Sequence, residues 1–223
     1  ACEWPEALDD YSRFLPKVVS DASGDGTRIV TRHTKRSSRS PFVLAGMTPS
    51  TVDAGIVAAA ANSGHVAELA GGGQVSPEIF SERIAELGET LETGHEVVFN
   101  ALYLDPSLWN MHLGRERLVQ QAREGGAPIC GVTISAGVPD AAEALELLDD
   151  LHEHGIWLNA FKPGDVAGVR KVLEIAGQSH HDIWLHLEGG LAGGHHSWED
   201  LESVLFATYS EIRAHENVIL MVG

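Results

Sequence analysis

The sequence has few cysteines and no long apolar run, and each shortage excludes a class of protein. Its two cysteines, Cys2 and Cys130, lie far apart in the 223 residues and form no CxxC pair. A disulfide framework or a zinc knuckle is therefore not expected, and a reducing cytoplasm is the predicted location. No apolar run approaches the roughly 20 residues of a membrane span. The acidic start, ACEWPEALDD, is unlike a signal peptide.

Basic residues are also scarce. The chain has 15 Lys and Arg against 32 Asp and Glu, which gives a formal net charge of -17. Its bases are scattered apart from a short stretch at 32–39. Nucleic acids and anionic membranes need a basic surface, so neither is an expected partner.

The chain divides into two parts that differ in composition and hydrophobic pattern. Residues 1–40 mix charge, serine and glycine without a clear period, although TRIVTRH favours a short strand, and we interpret this part as a linker or leader segment. Residues 41–223 form one domain in which short apolar runs alternate with amphipathic stretches. The chain starts without methionine and stops at NVILMVG, an apolar run typical of an interior strand, so a piece of a longer polypeptide is expected.

The alternation predicts about seven strands and six helices, and hence an α/β fold with parallel strands joined by crossover helices. A doubly wound sheet and a (β/α)8 barrel of the TIM type both fit that pattern. No GxGxxG follows the first apolar run, which continues instead as GMTPST. Several runs end in polar or glycine-rich sets such as FNA, KPG and EGG, which favours the barrel. The eighth strand and helix would then be missing from this chain.

The stretch HLEGGLAGGHHSWED, residues 186–200, joins the sixth run to the sixth helix. Its four glycines, Gly189, Gly190, Gly193 and Gly194, would let the backbone approach a flat or anionic ligand. His195 and His196 precede Ser197, a predicted helix N-cap, and a histidine there can donate a proton. A plain tight turn with solvated histidines is the alternative. Metal ligation is not expected, since the histidines and Glu188 show no established ligand spacing.

The motifs GMTP, ELAGGG, FKPG and GGHHS, in this order and spacing, resemble the enoyl reductase domain of fungal and actinobacterial type I fatty acid synthases. The resemblance extends from about Ser40 to Gly223, and looser relatives are the FMN-dependent bacterial enoyl reductases and the nitronate monooxygenases. It implies an FMN barrel that takes hydride from NADPH and reduces a trans-2-enoyl chain carried on acyl carrier protein. It also implies contacts with other synthase domains and a homo-oligomer, hexameric in that family.

The resemblance implies roles for individual residues. His195 matches the proton donor to the substrate α-carbon, with His196 as the second choice. Asn100 matches the asparagine that hydrogen-bonds the flavin, and Lys162 would stabilise negative charge on the reduced flavin. The first strand would run along the flavin ring. The predicted cofactor-binding residues are Gly46, Met47, Thr48, Asn100, Lys162, Gly189, Gly190, Gly193, Gly194 and Gly223.

Other residues receive weaker predictions. Glu68 could orient a neighbour, Gly71–Gly73 could make room for the flavin, and Thr133 and Ser135 could line the pocket. The remaining histidines, including His152, His154, His180 and His181, are interpreted as surface residues, and no metal is predicted.

Two further expectations concern function. Barrel flavoproteins seat the phosphate on the loops after strands seven and eight, and the first of these would begin at Gly223. This chain alone is therefore expected to bind FMN weakly or not at all. A nitronate monooxygenase-like FMN oxidase and a barrel that is architectural without catalysis remain as alternatives.

Overall fold

A computed structural model describes residues 13–20, 26–193 and 197–223 of the chain. Two short strands come first, β1 (Lys17–Ser20) and β2 (Thr27–Val30), and they pair antiparallel. The strand expected in TRIVTRH is therefore present. A short helix, α1 (Arg32–Ser37), follows, and the hydroxyl of its N-cap Thr31 accepts a hydrogen bond from a backbone N–H in the first turn.

A parallel sheet of seven strands carries the rest of the fold. Its strands are β3 (Val43–Leu44), β4 (Val66–Ala70), β5 (Val97–Leu102), β6 (Ile129–Ser135), β7 (Leu158–Phe161), β8 (Ile183–Leu187) and β9 (Val218–Val222). They are hydrogen-bonded in their order along the chain, so each pairs with its neighbours in sequence. The sheet curls into a half-barrel with β3 and β9 at its edges, which confirms the predicted α/β barrel class.

Helices join the strands, and most begin at capping signals visible in the sequence. Ser76, Asp140 and Asp165 each accept a hydrogen bond from a backbone N–H in the first helical turn. The helices are α2 (Ala54–Asn62), α3 (Pro77–Thr90), α4 (Pro106–His112), α5 (Leu118–Glu124), α6 (Ala141–Glu153), α7 (Val166–Gln178) and α8 (Leu201–Arg213). Within the described ranges, none is long and apolar enough to cross a membrane.

The connection between β5 and β6 differs from the single helix predicted there. It contains both α4 and α5, so the described barrel portion has one helix more than expected. Asp105 caps α4 by accepting hydrogen bonds from two backbone N–H groups, and Pro106 occupies the first helical position. Ser76 and Pro77 mark the start of α3 in the same way, so the Asp–Pro pair in the sequence could have identified α4.

The interior of the half-barrel has an apolar layer and a polar layer. Because side chains alternate between the faces of a strand, residues two apart share a face. Val66 and Trp184 belong to the buried interior cluster, and Glu68 and His186 follow them by two residues on the same strands. The polar layer therefore lies toward the carboxyl ends of the strands, where barrel enzymes place their catalytic groups.

Helix α1 lies near the amino ends of the strands, at the apolar end of the interior. His33 of α1 is buried, and its Nδ1 accepts a hydrogen bond from Trp184 Nε1 at 3.1 Å. Trp184 is itself buried in the interior cluster. Part of the segment predicted as a linker is thus packed into the core.

Because three histidines are buried, we expect the fold to lose stability in mild acid. Burial lowers the pKa of His33, His112 and His186, so each stays neutral in the folded chain. The unfolded chain takes up these protons below about pH 6.5, so the free energy of unfolding should fall as the pH drops from 7 to 5. Urea unfolding at several pH values measures this slope. His33→Asn should reduce the slope, and an unchanged slope would contradict the assignment.

Candidate functional site

Two adjoining cavities lie inside the half-barrel. The larger, about 410 Å³, lies between the edge strands β3 and β9 and extends from His33, near the amino ends of the strands, to the carboxyl ends. It shares Met47, Lys162 and Glu188 with the smaller cavity, which lies at the carboxyl ends. The volume of the larger cavity falls within the ~300–1,000 Å³ typical of small-molecule sites. The smaller cavity, about 40 Å³, is lined by Gly46, Met47, Thr48, Ala70, Gly72, Asn100, Leu102, Ser135, Ala136, Lys162 and Glu188.

Glu68 is the centre of a buried hydrogen-bond network beneath these cavities. Its side chain on β4 is only 1% exposed. Oε2 accepts hydrogen bonds from the Gly46 backbone N–H at 2.7 Å and from Asn100 Nδ2 at 2.9 Å. Oε1 accepts from the Thr133 hydroxyl at 2.6 Å. A carboxylate only accepts, and three donors converge on it, so Glu68 links the loop after β3 to β5 and β6.

The carboxamide of Asn100 is held at both ends. Its Nδ2 donates to Glu68, and its Oδ1 accepts from the Ser135 hydroxyl at 2.7 Å. A carboxamide has two N–H bonds and two oxygen lone pairs, so one of each remains available. Asn100 can therefore present a fixed donor and a fixed acceptor to a ligand in the smaller cavity.

A buried ion pair between Lys162 and Glu188 lines both cavities. Lys162, just after β7, lies 2.8 Å from Glu188, just after β8, and their side chains are 6% and 10% exposed. His186 lines the larger cavity, and its Nδ1 has no hydrogen-bond partner in the described part of the chain. Burial lowers the pKa of His186 despite the nearby Glu68 carboxylate. A neutral imidazole with a free ring nitrogen therefore lies beside the ion pair.

Close approach within the chain accounts for two of the glycine positions. A Cβ on Gly46 would lie 2.5 Å from Asn100 Cβ, so glycine allows β3 and its loop to approach β5. A Cβ on Gly189 would lie 2.8 Å from the backbone nitrogen of Leu201, at the start of α8. Both glycines therefore accommodate neighbouring parts of the chain, and their predicted contacts with a cofactor stay predictions.

The structure brings a subset of the predicted site residues together. Gly46, Met47, Thr48, Asn100 and Lys162 line the smaller cavity.

The other predicted residues lie farther along the chain. Gly193 and Gly223 line the larger cavity, and the Gly223 N–H donates to the Leu187 carbonyl at 3.0 Å. Gly189 and Gly190 are absent from the linings of both cavities and pack on the segment that leads into α8. Gly194, His195 and His196 lie outside the described residues, so their predicted roles stay predictions.

Ser197 was predicted to be the N-cap of the sixth helix, and this prediction is wrong. Helix α8 begins at Leu201, with Asp200 at its N-cap position. The Ser197 hydroxyl instead donates to the Gly164 carbonyl at 2.5 Å, and its oxygen accepts from the Glu199 N–H at 2.9 Å. This side chain ties the turn to the loop after β7, so it is not available to cap the helix.

The sequence analysis did not predict that the side chains of His186 and Glu188 face the interior of the half-barrel. It considered both residues only as metal ligands. The signal was the alternation of the sixth run: Trp184 faces the interior, so the residues two and four positions later share its face. The equivalent step from Ala160 places Lys162 inward on β7.

Comparison with known proteins identifies the wider family. A family profile described as fatty acid synthase subunit beta/Fas1-like, helical, matches residues 182–223. The β subunit hexB of Dothistroma septosporum is 38% identical over 223 residues, which is 98% of this chain and 11% of that protein. The β subunit of Saccharomyces cerevisiae is 34% identical over 98% of the chain and 10% of its own length. The chain is homologous to one segment of the fungal fatty acid synthase β subunit. The chain spans about a tenth of the length of these curated relatives.

Solved structures with a similar fold agree with the barrel class. A mutant of FabK from Thermotoga maritima superposes with a TM-score of 0.61 at 19% identity, covering 86% of this chain and 56% of FabK. A nitroalkane oxidase from Streptomyces ansochromogenes gives a TM-score of 0.55 at 16% identity, covering 82% and 57% of the two chains. At these identities the likeness concerns the fold alone.

Proposed function

We propose that this chain forms most of an enoyl reductase barrel in a type I fatty acid synthase. In the proposed reaction, NADPH reduces FMN, and the flavin reduces a trans-2-enoyl thioester carried on an acyl carrier protein domain in the cytoplasm. The observation that carries the proposal is the match to synthase β subunits at 34–38% identity over nearly the whole chain. The motifs GMTP and GGHHS, which resemble those of the reductase domain, assign this segment to the reduction step.

The residues at the carboxyl ends of the strands fit a flavin. Asn100 keeps one free donor and one free acceptor, which suits the pyrimidine edge of an isoalloxazine. Lys162 supplies a cation, and His186, whose buried Nδ1 has no partner in the described part of the chain, lines the larger cavity. The two cavities share Met47, Lys162 and Glu188, so a flat ring in the larger cavity would lie next to the smaller one.

When bound, FMN supplies the hydride transfer between NADPH and the β-carbon of the enoyl chain. The chain's own residues then have distinct tasks. Asn100, held by Glu68 and Ser135, fixes the orientation of the ring edge. Lys162 stabilises the negative charge that develops on the reduced flavin. The carboxylate of Glu188 already neutralises part of the positive charge of Lys162. His195 donates a proton to the α-carbon of the substrate.

The test is an anaerobic reductive half-reaction on the intact polypeptide that contains this chain. NADPH should bleach the flavin absorbance, and a trans-2-enoyl thioester should then restore it. His195→Ala should slow the restoration by about 100-fold or more, as expected for loss of a general acid. His215→Ala removes a histidine of the α8–β9 connection and serves as the matched control.

Each of the other outcomes would support a different function. Reoxidation by nitronates but not by the enoyl thioester would support an oxidase related to the nitronate monooxygenases. A protein without bound flavin would leave an architectural barrel. Equal rates for His195→Ala and the wild type would transfer the donor role to His196.

A further inference from the structure

A cluster of histidines lies near the amino ends of the strands, away from Lys162 and Glu188 at the carboxyl ends. His180 and His181 lie in the connection between α7 and β8, where the next strand begins. Asp149 lies near the carboxyl end of α6. One nitrogen or oxygen atom from each of these three side chains lies within 4.8 Å of the others. The connections that follow α6 and α7 both lead into the amino ends of strands. These ends are one strand length, about 15 Å, from the carboxyl ends.

The distances in this cluster suit a small metal ion. His181 Nε2 lies 2.8 Å from Asp149 Oδ1, and His180 Nε2 lies 3.8 Å from the same oxygen. In a tetrahedral zinc site with bonds of about 2.0–2.1 Å, the ligand atoms lie about 3.3 Å apart. The two observed distances lie on either side of that value. Rotations of the exposed Asp149 and His180 side chains would bring both distances to this value, with the ion replacing the hydrogen bond between His181 and Asp149.

His152 holds the ring of His181 in place. The two imidazoles are stacked, with 3.6 Å between ring centroids and 17° between their planes. His152 Nδ1 is 2.9 Å from the Leu148 carbonyl, which accepts its hydrogen bond. Such supporting contacts orient metal ligands in known sites.

The surroundings of the cluster leave it accessible and nearly balanced in charge. Arg36 lines the adjoining cavity of about 440 Å³, but it is paired with Asp182 at 3.1 Å. The side chains of His180 and Asp149 are 79% and 58% exposed. An ion could therefore enter from solvent and keep a water molecule in its fourth position.

We propose that Asp149, His180 and His181 form a binding site for a divalent transition-metal ion of the zinc class. Two imidazoles and one carboxylate favour such an ion over magnesium or calcium, which prefer oxygen ligands alone. The bound ion would clamp α6 to the connection before β8. The site does not depend on the proposed reductase activity.

Cobalt binding tests this site, because Co²⁺ adopts the geometry of zinc and absorbs visible light. The intact polypeptide that contains this chain is titrated with Co²⁺ and then with Zn²⁺ as a competitor. His180→Ala and Asp149→Asn should each bind one equivalent fewer of Co²⁺ than the wild type. Zn²⁺ should raise the melting temperature of the wild type more than that of either variant.

The matched control is His154→Ala. His154 lies 3.1 Å from Glu124 and 3.6 Å from Asp150, so it is a histidine beside carboxylates without a second imidazole. This variant should keep the full cobalt stoichiometry. Unchanged stoichiometry in His180→Ala and Asp149→Asn, or an equal loss in His154→Ala, would overturn the proposal. Both test positions are largely exposed, so neither variant should prevent folding. Flavin reduction by NADPH reports separately on the proposed function.

Discussion

Replacing Glu68 with alanine is expected to lower the free energy of unfolding by at least about 3 kcal/mol. The change leaves three buried donors without an acceptor: the Gly46 N–H, Asn100 Nδ2 and the Thr133 hydroxyl. Each orphaned donor costs about 1–3 kcal/mol, and the lost side chain also leaves a void. Urea unfolding of this chain, followed by tryptophan fluorescence, measures the loss.

Glu68→Gln is the matched control for this network. Its amide oxygen can still accept from Gly46 and Asn100, and its amide group can donate to the Thr133 hydroxyl. We therefore expect a loss of less than half that of the alanine variant. Equal losses in the two variants would show that the negative charge, and neither side-chain volume nor the number of hydrogen bonds, gives Glu68 its importance.

Lys162→Met is expected to destabilise the fold by about 3–5 kcal/mol. Methionine fills a similar volume but leaves the Glu188 carboxylate buried without its cation. The double variant Lys162→Met/Glu188→Gln removes both charges and should recover most of the loss. Urea unfolding of the two single variants and the double variant gives the coupling energy of the pair.

Lys171→Met provides the control for the charge change itself. Lys171 lies on the exposed side of α7, so its replacement should change stability by no more than about 0.5 kcal/mol. If the double variant is as unstable as Lys162→Met alone, the ion pair is not the source of the effect. The loss would then come from the packing of the lysine stem.

The fold was predictable because its strands are buried on both faces. Such strands appear in the sequence as short apolar runs, and the helices between them carry caps such as Ser76 and Asp165. The strand count followed directly from these runs. Helix α4 was missed because it is short, although Asp105 and Pro106 mark its start.

The candidate site was predictable only in part. Residues at strand ends, such as Lys162, follow from the barrel pattern together with the family resemblance. The Glu68 network does not, because it depends on sheet register: Asn100 lies beside Thr133 on β6 and Ala70 on β4. A single sequence does not contain that register. The packing of His33 on Trp184 joins residues 151 positions apart, and no local pattern indicates it.

The sequential order of the sheet has a consequence for how the chain acquires its structure. Each strand from β3 to β9 pairs only with the strands that precede and follow it in the chain. Pairing partners are therefore close in sequence, which reduces the loop entropy lost at each step and favours rapid folding. A growing chain can add one strand and its helix at a time to an existing edge while it is still on the ribosome. The contacts of α1 with β8 and β9 are exceptions, because they must wait until Trp184 and the residues of β9 have been synthesised.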